Sequence, residues 1–399
     1  MNRVSRKIWD TISSLSLTIT CLAFLMVLVV ACTLAQVRLG TLGAVNLYMR
    51  SWFYWMPLGG LSIPIFPGGA LVGLVLLVNL VAAQGRRLEL SWKKAGIWVV
   101  HAGLILLVVG EFVSGGFQVD ARLAFEEGQT AGYVEVPREV ELAVVDVTDP
   151  AVDDVYGVSE TALGRGGTVG IPGTPLSVRV KTFDRNAQLL RGGGATGVDR
   201  GAGVGLDVRP LPPVTVDDQV DLSVAVVEVM AGGARVGTWL ASNAIETPQT
   251  FQAAGRTWAL SLRARREYLP YTLTLKDFKH DVYPGTTIPK NFSSLVRLNH
   301  PARGEDRDVL IYMNQPLRYE GKTFYQASFG KDDTLSILQV VENPGWLLPY
   351  LSTVLVTVGL LVHFGISLRR GVRRAGAPAP RGEDGADDEG GATAREALS

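Results

Sequence analysis

Four histidines are the side chains of this sequence best suited to bind a metal or carry a proton: His101, His280, His300 and His363. His101 and His363 fall inside long apolar runs, where an ionisable group is costly and marks a functional site by default. His101 lies seven residues after Lys94, and His363 six residues before Arg369. At 1.5 Å of rise per residue, both sit about 10 Å inside the same charged boundary. A neutral imidazole at that depth, walled by apolar helices, can act as an axial ligand to haem iron. The same side chain can instead make a hydrogen bond between helices, so both uses stay open for both residues.

The remaining candidates carry less chemistry. His280 and His300 stand among Asp277, Asp281 and Asn299 at no spacing that forms a metal site, and they read as surface histidines near turns. The only cysteines, Cys21 and Cys32, share one apolar run. Eleven residues of helix put them on one face but about 16 Å apart, too far for a disulfide. There is no CxxC pair, and hence no thioredoxin-type chemistry and no covalent haem attachment site. No nucleophile elbow, zincin motif or readable acid pair is present, so no residue is given a catalytic role. The glycine-rich stretch between Arg191 and Asp207 lacks the Lys-Ser/Thr and strand-to-helix setting of a phosphate loop, and reads as a mobile loop.

The elements that must hold these residues are mostly membrane spans. The 399 residues balance 38 basic against 38 acidic side chains, with 47% hydrophobic and 19% charged residues. This composition excludes a strongly basic nucleic-acid binder and is unusual for a soluble protein. Uncharged runs cover Thr11–Val37, Ser51–Gly85, Ala95–Gly110 and Asn343–Leu368. With about 20 apolar residues needed to span, four helices are expected, at about 15–36, 68–84, 97–115 and 346–370. The short flanks on one side carry eleven basic residues, from Arg3 to Arg374, against Arg38 and Arg50 in the first opposite loop. This asymmetry puts both termini in the cytoplasm.

Residues 116–345 then form one large extracytoplasmic domain. Its apolar pattern has period two, as in Tyr133–Val136, Leu176–Val180, Leu222–Val226 and Tyr271–Leu275. The fold class is therefore a membrane protein of α plus β type, with three spans, a large antiparallel β-rich sandwich or partly open barrel, and one more span. The aromatic loop Arg38–Pro67 reads as an interfacial belt. Asn79 and Gln84 are placed to hydrogen-bond between helices. Residues 371–399, rich in Gly, Ala, Asp and Glu, read as a disordered cytoplasmic tail.

Two outer segments carry a family resemblance. One runs Asp277-Phe278-Lys279-His280-Asp281-Val282-Tyr283-Pro284 and on through Pro289 to Ser294; the other runs from Met313-Asn314-Gln315-Pro316 through Gly321-Lys322-Thr323-Phe324-Tyr325-Gln326-Ala327-Ser328-Phe329. Both closely resemble the ResB family of cytochrome c biogenesis proteins. Trp9 with Ser13–Leu17, Asn79-Leu80 with Arg86-Arg87, His101-Ala102-Gly103 and Pro344-Gly345 fit the same layout.

The resemblance implies a subunit of a system II cytochrome c synthetase, an accessory rather than a catalytic one. It implies haem b as a transient, non-covalent cargo. The implied partners are a ResC/CcsA-type membrane protein bearing the WWD motif that this chain lacks, apocytochrome c with its CxxCH thiols, and a thioredoxin-like thiol reductant. The third-span histidine of the family is an axial ligand to haem in the membrane, and His101 matches it. His363 matches no family ligand and remains an alternative by depth alone. Two other functions stay open: a haem-free membrane-anchored scaffold, and a self-contained cytochrome b ligated by His101 and His363.

Overall fold

The computed structural model describes residues 3–58, 61–87, 91–192, 194–216, 219–286, 289–330 and 334–375. The helices are α1 (Arg3–Ile12), α2 (Leu15–Ala44), α3 (Gly69–Arg87), α4 (Ala95–Phe117), α5 (Glu160–Arg165) and α6 (Leu348–Ala375). Four of them, α2, α3, α4 and α6, are long and apolar enough to cross a membrane. In hydrocarbon the helix satisfies every backbone group internally, which is why uncharged runs become helices.

α2 is longer than the expected first span. Its 30 residues, followed by a π-helical turn at Val45–Met49, extend about 45 Å. Gly40 takes φ 70°, ψ 170° inside it and supplies a kink. The aromatic loop beyond is an antiparallel hairpin of β1 (Phe53–Leu58) and β2 (Leu61–Pro67). Tyr54 stacks on Tyr48 at 5.3 Å, and Phe66 packs edge-on against Phe24 of α2 at 5.1 Å. At the other end, α6 runs five residues into the segment read as a tail, and 376–399 lie outside the described residues.

The strands of the large domain are β3 (Val119–Glu126), β4 (Thr130–Asp146), β5 (Asp154–Ser159), β6 (Gly167–Gly170), β7 (Leu176–Asp184), β8 (Ala187–Arg191), β9 (Leu206–Pro210), β10 (Val224–Ala231) and β11 (Ala234–Ser242). They continue as β12 (Gln249–Ala253), β13 (Arg256–Val282), β14 (Pro289–His300), β15 (Glu305–Tyr312), β16 (Leu317–Tyr319), β17 (Lys322–Gly330) and β18 (Leu335–Glu342). Ten of them form one nearly closed, barrel-like antiparallel sheet, along β15-β14-β13-β4-β3-β18-β17-β16, with β12 and β5 added at β13 and β4. A second sheet runs β11-β10-β7-β6.

β13 spans 27 residues and β4 spans 17, so both run through two lobes with separate cores. The far lobe buries Leu142, Val178, Val227, Trp239, Trp258 and Leu260 between the two sheets. The near lobe closes on Phe125, Tyr271, Leu275, Val296, Leu298 and Phe324. It is near the helices because α4 feeds β3 and β18 feeds α6, with Val119 opposite Glu342 in the β3–β18 ladder.

The glycine-rich segment is not a loose loop. β8 and β9 pair as a hairpin, and a 3-10 turn at Gly201–Gly203 lies on β11. Gln249 Oε1 accepts from Ala202 N at 2.9 Å, and Thr238 O accepts from Arg200 N at 3.2 Å. A Cβ at Gly203 would fall 2.4 Å from that of Leu240. Close approach, rather than freedom, accounts for that glycine.

Candidate functional site

α4 presents two contrasting faces, and His101 lies on one of them. Gly96, Gly103 and Gly110 are buried along a seven-residue repeat, which returns to the same side of a helix every two turns. α6 packs there at backbone contact distance. A Cβ on Gly96 would sit 2.5 Å from His363 N, and one on Gly103 would sit 3.0 Å from Ser352 O. Gly359 of α6 makes the reciprocal approach, 2.7 Å from Val100 N, and Ser352 Oγ donates to Gly103 O at 2.8 Å. This is the small-residue packing that drives helix association where no hydrophobic effect is available. The sequence reading passed over the glycine repeat, although its spacing was legible.

His101 is about 140–180° around the helix from the glycines of that seam, at 100° per residue. It shares a stripe with Trp98 and Phe112, and both reach α3: Gln84 Nε2 donates to Trp98 O at 3.3 Å, and the Phe112 ring lies 3.5 Å from a Cβ built on Gly73. His101 is half-buried on this face. Its Nδ1 lies 2.9 Å from Ile97 O. A carbonyl only accepts, so in the neutral ring Nδ1 carries the proton and Nε2 holds the lone pair. A backbone partner on one ring nitrogen fixes the tautomer and the ring orientation for a metal on the other. The imidazole therefore fits an axial ligand through Nε2.

His363 sits elsewhere. Its backbone lies against Gly96, on the α6 face turned towards α4, and its ring packs on Phe364 at 5.6 Å. The two intramembrane histidines are at similar depth, yet opposite sides of α4 separate them.

Further along the His101 face, α2, α3 and α4 enclose an apolar cavity of about 690 Å³. Leu25, Leu76, Val108 and Phe112 line it, with Arg50, Trp52 and Glu111 among its polar and amphipathic members. Val108 is about 10 Å along α4 from His101. The bundle below is tied by Asn79, which is fully buried. It accepts from Thr18 Oγ1 at 2.6 Å and donates to Ile12 O at 2.6 Å and Ser14 O at 3.0 Å, across the α1–α2 break. Cys21 and Cys32 are buried and free, and Cys21 packs with Leu28, Val72 and Leu76 as an apolar filler.

In the near lobe His300 corrects the sequence reading. It is 4% exposed, not at the surface. Along β14 the inward residues are Ser294, Val296 and Leu298, and the same period-two parity carries His300 inside. Its Nδ1 lies 2.9 Å from the Tyr319 hydroxyl, which donates to Glu305 Oε2 at 2.7 Å. Because the hydroxyl proton goes to Glu305, His300 Nδ1 is the donor to Tyr319. This hydrogen bond from Tyr319, and then one from Arg307, holds the Glu305 carboxyl below its usual range. His280 packs on the Phe329 ring at 4.1 Å. Among the described residues no group of three His, Cys, Asp or Glu could hold a metal ion.

The Phe324–Phe329 motif divides its work by parity. Phe324 is fully buried in the core. Gln326 joins a buried network in which Ser294 Oγ donates to Gln326 Oε1 and meets Ser336 Oγ, both at 2.7 Å. Tyr325, of opposite parity, lines an outer pocket with Lys322 and Tyr319. Burial disfavours the Lys322 ammonium, but hydrogen bonds to Glu267 and Glu342 more than offset this and hold its pKa above the ordinary value.

A chain with four helices long and apolar enough to cross a membrane, and a β-domain joined to two of them, is a membrane protein of mixed α and β type. Residues 224–337 match the model of the ResB-like family, the region that includes β10 to β17 and both quoted motifs. Over 93 residues the chain is 37% identical to Protein NrfI of Wolinella succinogenes, a stretch covering 23% of this chain and 10% of that protein. The chain thus matches about a tenth of the length of this curated relative. The similarity to the ResB-like family is carried by this one stretch of the β-domain.

Proposed function

We propose that this protein is a haem-handling membrane subunit in cytochrome c biogenesis. It takes haem b as transient cargo from the cytoplasmic side and holds it in the membrane through His101. With a ResC/CcsA-type partner it then presents haem for attachment to the CxxCH thiols of apocytochrome c, kept reduced by a thioredoxin-like protein. Both termini are cytoplasmic and the β-domain is extracytoplasmic, following the basic flanks Arg3–Lys7, Arg86–Lys94 and Arg369–Arg374.

The observation that carries the reading is the state of His101. Its Nδ1 is occupied by Ile97 O, which leaves Nε2 as the ligand atom, on a helix face not consumed by α6. The iron's second ligand comes from the partner, because His363 starts from the other side of α4. That separation also disfavours a self-contained cytochrome that uses both histidines.

The test is the visible spectrum of the protein purified with and without its partner, as wild type, His101→Ala and His363→Ala. A Soret band that requires the partner, is lost in His101→Ala and persists in His363→Ala supports the proposal. A partner-independent band lost in both variants would establish the bis-histidine cytochrome instead. No band in any preparation would leave a haem-free scaffold.

A further inference from the structure

A second cavity, of about 510 Å³, opens where the near lobe meets the start of α6. Its mouth is aromatic and basic. The Arg318 guanidinium lies over the Trp346 ring, 4.7 Å from the centroid, and Trp346 meets Tyr350 edge-on at 6.2 Å. Tyr325 and Tyr319 form the opposite wall. Pro349 lines both this cavity and the apolar cavity between α2, α3 and α4, so the two adjoin.

We propose that this pocket is a docking site for haem at the outer membrane surface, with Arg318 pairing a propionate and the ring edge resting on Trp346 and Tyr325. The assignment deepens the proposed function and rests on it. Haem joins a flat apolar ring to two carboxylates, and the pocket offers the complementary pair. An arginine stacked on an indole keeps its donor edge free in a fixed plane, suited to bidentate carboxylate binding. The other charges at the site are already committed: Lys322 to Glu267 and Glu342, and Glu320 to Arg303 at 2.5 Å. Arg318 has no ion pair among the described residues and is the charge left for a ligand. Beneath Tyr319, the Tyr271 hydroxyl is buried with no hydrogen-bond partner. Burial, and then the negative charge of Glu320 beside the pocket, push its pKa up.

The experiment measures fluorescence of metal-free protoporphyrin IX, and of its dimethyl ester, bound to the full-length chain in neutral-lipid nanodiscs. Metal-free porphyrin needs no axial ligand, so His101→Ala is expected to bind it like wild type. Arg318→Gln is expected to weaken binding of the free acid about tenfold, with no change for the ester, and Trp346→Ala to weaken both. Equal binding of the free acid by wild type and Arg318→Gln overturns the assignment. So does loss of binding on adding anionic lipid, which would identify Arg318 as a lipid-phosphate site. If Arg318 governs porphyrin binding but no Soret band forms at His101, the proposed function fails at its ligand and the pocket stands. If the band forms and Arg318→Gln is silent, only the pocket fails.

Discussion

The two faces of α4 are built in opposite ways. Towards α6 the helix is stripped to glycine every seventh residue, and the backbones touch. Towards α3 it carries large side chains, a half-buried histidine and a 690 Å³ cavity. The close face gains dispersion and hydrogen bonds at every turn and has no room to move. The open face leaves volume, which a membrane-bound ligand can fill. The α4–α6 pair is therefore a close-packed strut continuous into β3 and β18, and the other face of α4 borders open volume.

The sharpest way to break this comparison is to add the same side chain to each face. Gly103→Leu meets Ser352 O and Val356 at once and is expected to cost more than about 3 kcal/mol, or to prevent folding, since the obstacle is backbone. Val108→Leu fills cavity space and is expected to change stability by under about 1 kcal/mol. Thermal unfolding of the full chain in detergent compares them, and equal losses would mean that both faces are packed alike.

A smaller effect is expected at Asn79. Replacing it with Leu removes three hydrogen bonds, at about 0.6 kcal/mol each for interhelical bonds in membranes, and so about 2 kcal/mol in all. Under the proposed function, haem binding through His101 should be retained, because the lesion lies at the α1–α2 break; a lost Soret band with an unchanged melt would contradict this. Ser352→Ala should cost only about 0.6 kcal/mol, because the glycine contacts remain. A cost as large as that of Gly103→Leu would assign the α4–α6 seam to that hydrogen bond rather than to packing.

The smallest expected effect lies in the near lobe and depends on pH. The folded pKa of Glu305 is lowered, first by the Tyr319 hydroxyl and then by Arg307. Its contribution is complete above the unfolded value of about 4.3 and is lost as pH falls through the lower folded value. Glu305→Gln should flatten the acid limb of stability against pH while leaving stability near pH 7 less changed than Gly103→Leu does. An unaltered acid limb would show that the Tyr319–Glu305 bond carries no linkage.

How much of this was legible depended on whether the signal was local. The spans were, because lipid demands uncharged helical runs, and so was the period-two β-domain. The inter-helix role of Asn79 followed from its polarity in a span. The turn of His300 into the core was written in the parity of Val296 and Leu298, but its charged neighbours drew attention to the surface instead. The glycine run at 191–207 was misread because composition reports freedom, whereas Leu240 packed against Gly203 required small size.

Sequence alone determined that the protein is membrane-bound, with a β-domain between its third and fourth long apolar helices, and which histidines lie within those helices. Periodicity and charge are properties of neighbours along the chain, and they suffice for that. Only the tertiary structure decided that His101 on α4 and His363 on α6 lie on opposite sides of α4, that Ile97 O fixes the His101 tautomer, and that Arg318 meets Trp346 at the mouth of a pocket. Each of these depends on how helices rotate about their axes and how distant strands return to the membrane, and packing between remote segments sets both.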